Sequence, residues 1–407
     1  MISIFLHKLL RRRHFWRTVS FSEVAELYAS RLLRMLALHM VALFIALYLY
    51  KNGYSITFIA FYYACYYVFK VLLCWPSALF AAQFGPKHGI LISNFLYIPA
   101  LVAFTFVSEY GFTAIVVFGV FQALSATLYE LCYQVDFSKV KHANHAGKEI
   151  GIMSFVEKFA TGVSPLIGGA VATLFGAEVT IWLAAILFAI SAGPLMKTAE
   201  PLKTGQSIRL GGISWRAIVP SMRSEVARGF DVIATGMVWV LFVAVVIFSA
   251  SSDDIYVQIG ALSSVGFLIT FVAAFTFGKL IDRRQGRALL LSGVAMKAIT
   301  HLFRPVTATP IGVASLNLAS ETASTGYYMA YLRGLFDNAD RSENRIGYLL
   351  VMEMAVNFGA AIGCALLGLF VWNLGDVEGM SVFFVLAAFV SVLLGTAKFA
   401  LYRKTTH

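Results

Sequence analysis

An ionisable side chain at the centre of a membrane-spanning helix costs about 2.5–3.5 kcal/mol, so it needs a partner, a water-filled cavity or a task. Glu321 is the clearest case. It follows Pro310 by eleven positions and precedes Arg333 by twelve, which at a ~1.5 Å rise puts its carboxyl near the middle of a span. Asn317, Ser324 and Tyr328 share its helical face and make a polar stripe. A carboxylate so placed can carry a proton or hold a polar group of a solute; the plainer alternative is a structural glutamate satisfied by its neighbours. Lys70 is the expected counter-charge, set below Tyr63, Tyr66 and Tyr67 on one side of a helix. Aromatic faces beside a cation suit an amphiphilic or aromatic organic solute. The competing reading of Lys70 is an ammonium that snorkels to the membrane surface.

A second set of charges lies about two turns or less from the basic loops: Arg31, Arg34, Glu130, Glu157, Arg228, Asp231 and Glu353. These are expected to form inter-helical ion pairs that gate the cytoplasmic side. Glu225, Arg228 and Asp231, each three apart, can also pair along one helix. Lys297 and His301 lie deep in an apolar segment, and the sequence gives them no role. Cys65, Cys74, Cys132 and Cys364 have no paired spacing, which points to neither a metal site nor a disulfide framework. No HExxH, GxSxG or GxxxxGK[ST] pattern occurs, so neither an enzyme nor an ATP-driven pump is supported and no cofactor is expected.

Only helices could hold these charges in place. Of 407 residues 59% are hydrophobic and 13% charged, with a mean hydropathy of +0.78, far from the quarter or so of charged residues in soluble domains. Apolar runs long enough to cross a ~30 Å hydrocarbon core recur throughout. We place twelve spans near 30–50, 55–80, 89–108, 112–135, 151–175, 178–196, 224–249, 255–277, 288–304, 310–332, 346–371 and 379–400. This divides the chain into a leader (1–27), a first six-helix bundle (28–196), a central polar loop (197–223) and a second bundle (224–407). The leader carries Lys8, Arg11, Arg12, Arg13 and Arg17 among Ile4, Phe5, Leu9, Phe15 and Trp16, and reads as an uncleaved amphipathic segment on the membrane surface.

Basic residues mark the loops after even-numbered spans: Lys87; Lys139, Lys141 and Lys148; Lys197, Lys203, Arg209 and Arg216; Arg283, Arg284 and Arg287; Arg341 and Arg345; Arg403 and Lys404. The other loops offer Glu109, Glu178, Asp253, Asp254, Asp376 and Glu378. By the positive-inside rule both termini are expected in the cytoplasm. The net charge of +11 is then a topology signal, and no nucleic-acid partner is expected. An offset of about 197 residues lays Arg31 over Arg228 and Gly89 over Gly286, and one of 196 lays Glu149, Ile150, Gly151 and Glu157 over Arg345, Ile346, Gly347 and Glu353. A duplicated half is the reading these matches favour.

The run Gly278, Lys279, Leu280, Ile281, Asp282, Arg283, Arg284, Gln285, Gly286, Arg287 closely resembles the signature loop of the major facilitator superfamily, G-x-x-x-D-R-x-G-R, with one residue inserted. The resemblance implies an all-α membrane fold of about twelve helices in two pseudo-symmetric bundles. It also implies that Asp282, with Arg333 and a helix N-terminus, latches the halves in one conformation, supported by Gly278, Arg283, Gly286 and Arg287, and that the tenth helix lines a central cavity while the ninth stays outside it. The first-half counterpart, Ala81 to Gly89, has Gly85 at the acidic position, which leaves a symmetric latch unsupported. Ser164, Pro165, Gly168 and Gly169 resemble the G-P-x-x-G-G helix-kink motif of the superfamily's proton-linked antiporters, although the Arg of the fourth span is absent.

The expected protein is a secondary transporter, a monomer in a bacterial inner membrane, that moves a small-molecule substrate through the lipid bilayer by alternating access. It is expected to be proton-coupled, with export by antiport as the direction the kink motif favours. A lipid or glycolipid flippase of the same fold stays open as an alternative, as do a non-transporting sensor and an intramembrane enzyme.

Overall fold

Backbone N–H and C=O groups in hydrocarbon must find partners within their own segment. The chain answers with helices throughout. The computed structural model describes residues 21–140, 146–196, 205–206, 208, 210, 215–248, 254–265, 267–342 and 344–402. Residues 1–20 of the leader lie outside the described residues, as do Lys141, Lys197, Lys203, Arg209, Asp253, Arg403 and Lys404.

Among the described residues twelve helical passes follow: α1 (Phe21–Lys51), α2 (Ile56–Phe84), α3 (Pro86–Thr105), α4 (Phe112–Val140), α5 (Ala146–Phe175), α6 (Ala177–Ser191), α7 (Trp215–Ile233, continued through π-helical turns at Ala234–Val238 and Val243–Ile247), α8 (Ile255–Ser264 and Phe267–Asp282), α9 (Gly286–Phe303), α10 (Pro310–Arg341), α11 (Arg345–Leu374) and α12 (Asp376–Val392). Nine of these have the length and apolarity of a membrane span. The others are the two-piece α8 and the pair α9 and α10, which carry Lys297, His301 and Glu321. The starts are written locally. Ser55 Oγ, Thr309 Oγ1 and Asn344 Oδ1 accept the first free N–H groups of α2, α10 and α11, and Pro310 occupies the first turn of α10, where no N–H is missed.

Two boundaries differ from the sequence reading in ways that matter for the site. Helix α5 begins at Ala146 rather than 151, and α7 at Trp215 rather than 224. The first turns of α7 are amphipathic, exposing Arg216 and Arg223 while burying Ile218 and Ser221. A hydropathy reading takes such a stretch for a loop. Gly85, where the signature acid is missing, has φ +94° and ψ 150°. That conformation is open only to glycine, so the residue that turns α2 into α3 excludes an aspartate there.

Within the first half α1 packs on α5 and α6, and α3 on α4; within the second, α7 packs on α11 and α9 on α10. Two seams join the halves, α2 with α11 and α5 with α8. The outer faces of α6, α9 and α12 expose Trp182, Ile186, Ile299, Phe303 and Phe389, an apolar girdle for lipid. Helix α5 packs through its glycines on both sides: a Cβ on Gly168 would lie 2.5 Å from the Met40 carbonyl oxygen of α1, and one on Gly169, at the α8 seam, 2.7 Å from that of Tyr256. Gly169→Val is therefore expected to push α8 away and cost ~1–3 kcal/mol. The thermal unfolding midpoint of the detergent-solubilised variant reads this, and an unshifted midpoint would show the seam to be loose.

Candidate functional site

A cavity of about 430 Å³ opens between the halves, within the range of small-molecule sites. His39 from α1, Tyr63, Tyr66 and Tyr67 from α2, Gln122 from α4, and Lys158 and Thr161 from α5 line its first-half wall. The second half contributes Thr235, Gly236 and Trp239 from α7, Thr270 from α8, Arg304 just beyond α9, and Asn317, Ser320 and Glu321 from α10. The π-helical turn Ala234–Val238 underlies this wall. Widened turns of this kind recur at functional sites because they displace backbone and side chains together.

Glu321 and Asn317 of the polar stripe line the cavity. The counter-charge is not Lys70. Lys158 Nζ lies 2.5 Å from Glu321 Oε2, joining α5 to α10 and so one half to the other. Lys70 is buried, its Nζ 5.9 and 5.5 Å from the ring centroids of Tyr66 and Tyr67, and within electrostatic reach of Glu130. Tyr66 does line the cavity; Ser324 does not, and it accepts a hydrogen bond from Lys297 Nζ at 2.8 Å. Asn317 bridges two helices, accepting from Trp239 Nε1 at 2.7 Å and donating to the Leu262 carbonyl at 3.0 Å.

The expected gate resolves into separate arrangements. Arg31 pairs with Glu157 at 2.6 Å and Glu130 at 3.2 Å, all within the first half. Arg34 has neutral partners, Asn94 Oδ1 at 2.6 Å and Ser125 Oγ at 3.1 Å, and lies 3.8 Å above the Tyr129 ring. Arg228 binds Glu225 one turn back at 2.5 Å, with Glu353 in electrostatic reach. The near-equal offsets that lay Arg31 over Arg228 and Glu157 over Glu353 thus bring similar charges together in both halves. Glu353 also accepts from Gln134 at 3.1 Å, a contact from α4 to α11.

Asp231 departs from the gate altogether. Sixteen residues after Trp215, it lies inside the second half, where His301 Nε2 is 2.7 Å and Lys297 Nζ 3.4 Å from Oδ1. Tyr327 donates to its Oδ2 at 3.0 Å. Lys297 and His301 thereby gain the role the sequence did not supply, and α9 reaches inward through them and through Arg304.

On the side where α1 begins at Phe21 and the described chain ends at Tyr402, the halves meet again. Asp282 Oδ1 accepts from the Gly147 N–H at 3.1 Å, in the first turn of α5; Arg345 donates to Ser138 Oγ at 3.1 Å; Phe137 and Phe336 rings lie 5.5 Å apart. The carboxylate sits where the helix dipole and free N–H groups favour it. Elsewhere in this loop Arg287 donates to the carbonyls of Ala397 and Gly395, Gly286 abuts the Tyr402 ring, Gly278 faces Gly147, Arg283 is exposed, and Arg333 lies within reach of Tyr402. Arg284 makes the turn at φ 63°.

Twelve passes, seams through α2–α11 and α5–α8 and a cavity between the halves define a class, the membrane transporters built from paired six-helix bundles. The chain belongs to the Major Facilitator Superfamily, whose family model matches residues 27–316. It is a secondary transporter and not an enzyme. Solved structures share the fold: FucP in an outward conformation, 13% identical over 92% of this chain and 97% of that one with a TM-score of 0.63, and a point variant of the E. coli fucose:proton symporter FucP, 12% identical over 91% and 97% with a TM-score of 0.64. The human organic anion transporter MFSD10 is 10% identical over 91% and 99%, with a TM-score of 0.57. No curated protein matches the sequence.

Proposed function

We propose that this transporter moves a small organic solute by alternating access of two bundles, residues 28–196 and 224–407 with the early turns of α7 joined to the second, and that protons drive it through Glu321. The observation that carries this is the Lys158–Glu321 contact, a half-buried ion pair that spans the halves inside the cavity. As a pair it ties α5 to α10. A proton on the carboxyl removes the attraction and frees Lys158, so the halves can part around the solute. The groups facing Glu321 are the Lys158 ammonium from α5, the His39 imidazole from α1 and the Lys297 ammonium from α9, with the Arg304 guanidinium beyond α9 also in reach. The fold neighbour named as a fucose:proton symporter agrees with coupling to protons. The basic loops support an orientation with both termini in the cytoplasm of an inner membrane.

Purified protein in liposomes under an imposed pH gradient, screened across sugars, organic acids and amphiphiles, tests this. Uphill accumulation that a protonophore abolishes is the expected result. Phospholipid scrambling without solute flux would instead install the flippase alternative.

Asp282 acts as the latch in this scheme. Asp282→Ala removes an N-terminal acceptor worth about 1 kcal/mol and is expected to shift the population roughly fivefold toward the state open on the terminal side. Distances between spin labels at the terminal ends of α4 and α10 report the shift. An unchanged distance distribution would remove Asp282 from that role.

A further inference from the structure

Five charges gather at the Glu321 side of the cavity, and they do not cancel. Lys158 and Glu321 neutralise each other across it. Behind the second-half wall stand Asp231, Lys297 and Arg304, all buried at 4%, 0% and 1% exposure, one anion against two cations. His301 adds no charge. Arg304 Nη1 is 3.1 Å from His301 Nδ1, and a guanidinium only donates, so Nδ1 holds a lone pair and Nε2–H faces Asp231. The surplus is one positive charge.

That surplus resides at Arg304. Lys297 is 3.4 Å from the Asp231 carboxylate, whereas Arg304 hydrogen-bonds only to neutral groups, the Ala234 carbonyl at 2.8 Å, His301 Nδ1 and Ser320 Oγ at 3.4 Å, and Asp231 and Glu321 act on it from beyond ion-pair distance. Its guanidinium is 4.9 Å from the Trp239 ring centroid and 5.4 Å from that of Phe384. Its Nε has no hydrogen-bond partner among the described residues. Yet Arg304 belongs to the cavity wall. A cation held in the membrane interior without an anion in contact is costly, and an anion entering the cavity offsets that cost.

Resting on the reading of this cavity as the transport site, the geometry points to Arg304 as a carboxylate subsite: the solute is a small organic monoanion whose head meets Arg304 and whose apolar or aromatic body lies against Tyr63, Tyr66, Tyr67 and Trp239. Arginine matches a carboxylate with paired donors. A single surplus charge selects a monoanion, since a dianion would leave the cavity negative by one. A neutral solute leaves Arg304 as it stands, and a cation adds to the surplus.

The test compares solutes matched in body and different in charge: 3-phenylpropionate, its primary amide, and 3-phenylpropylamine, with shorter and longer members of each series. Binding to the full chain is read by thermal stabilisation, and exchange by counterflow in liposomes. The acid is expected to bind and exchange at least tenfold better than the amide, and the amine not at all. Arg304→Gln should bring the acid down to the level of the amide, while Arg304→Lys retains part of the preference. An amide as good as the acid overturns the subsite, as does wild-type affinity for the acid in Arg304→Gln with an unaltered gel-filtration profile. Should that variant not fold, the wild-type acid and amide comparison decides alone. Acid preference without proton-driven accumulation would sink the coupling role of Glu321 and leave the subsite standing. Silence from all three series removes the small-solute reading and the subsite with it.

Discussion

Asp231→Ala is expected to destabilise the protein by about 3–5 kcal/mol, the range for removing one partner from a buried ionic group. The carboxylate accepts from His301, Tyr327 and Thr235 and faces Lys297. Without it Lys297 and Arg304 become two buried cations, and His301 Nε2–H and the Tyr327 hydroxyl lose their acceptor. Much of that penalty is like-charge repulsion, so removing one cation should relieve it. The pair Asp231→Ala with Lys297→Met is expected to be more stable than Asp231→Ala alone, a non-additivity that a double-mutant cycle on unfolding midpoints measures. Additive losses would mean that Asp231 and Lys297 act independently.

The second large effect concerns transport. Lys158→Glu sets two carboxylates facing each other, and Glu321→Lys sets two ammonium groups. Each single reversal is expected to lower solute flux at least tenfold, about 1.4 kcal/mol at the limiting step. The double reversal restores the attraction between α5 and α10 with its sign inverted, and should recover more flux than either single change. It should not recover wild-type coupling, because His39, Lys297 and Arg304 stay in place around a carboxylate that has moved to α5. Flux in the double variant no higher than in the worse single one would mean that the contact is incidental.

What could be read from the sequence follows depth within helices. Glu321 was legible because Pro310 and Arg333 bracket it at nearly equal distance and Asn317 extends its polar face. Lys158 is not legible in this way, although its neighbour Glu157 reads as a gate residue. With α5 starting at Ala146, Lys158 lies twelve residues in, ~18 Å along the axis. Successive residues on a helix point about 100° apart, so Glu157 turns to Arg31 while Lys158 turns to the cavity. The depth of Asp231 is hidden for a related reason, the start of its helix. Counted from 224 it belongs near the surface, and counted from Trp215 it is ~24 Å deep. The amphipathic first turns of α7 hid that start. Lys297, His301 and Arg304 had no visible partner because an ion cluster drawn from α7, α9 and α10 has no linear spacing to betray it. The signature loop, by contrast, carried its meaning locally: Asp282 reaches the first turn of α5 from a loop whose residue types alone announced the family.

The most direct test is Glu321→Gln in proteoliposomes, assayed two ways on one preparation. If Glu321 carries the coupling proton, uphill accumulation driven by the pH gradient disappears while solute counterflow, which needs no net proton movement, persists. Full gradient-driven accumulation in Glu321→Gln would contradict that role.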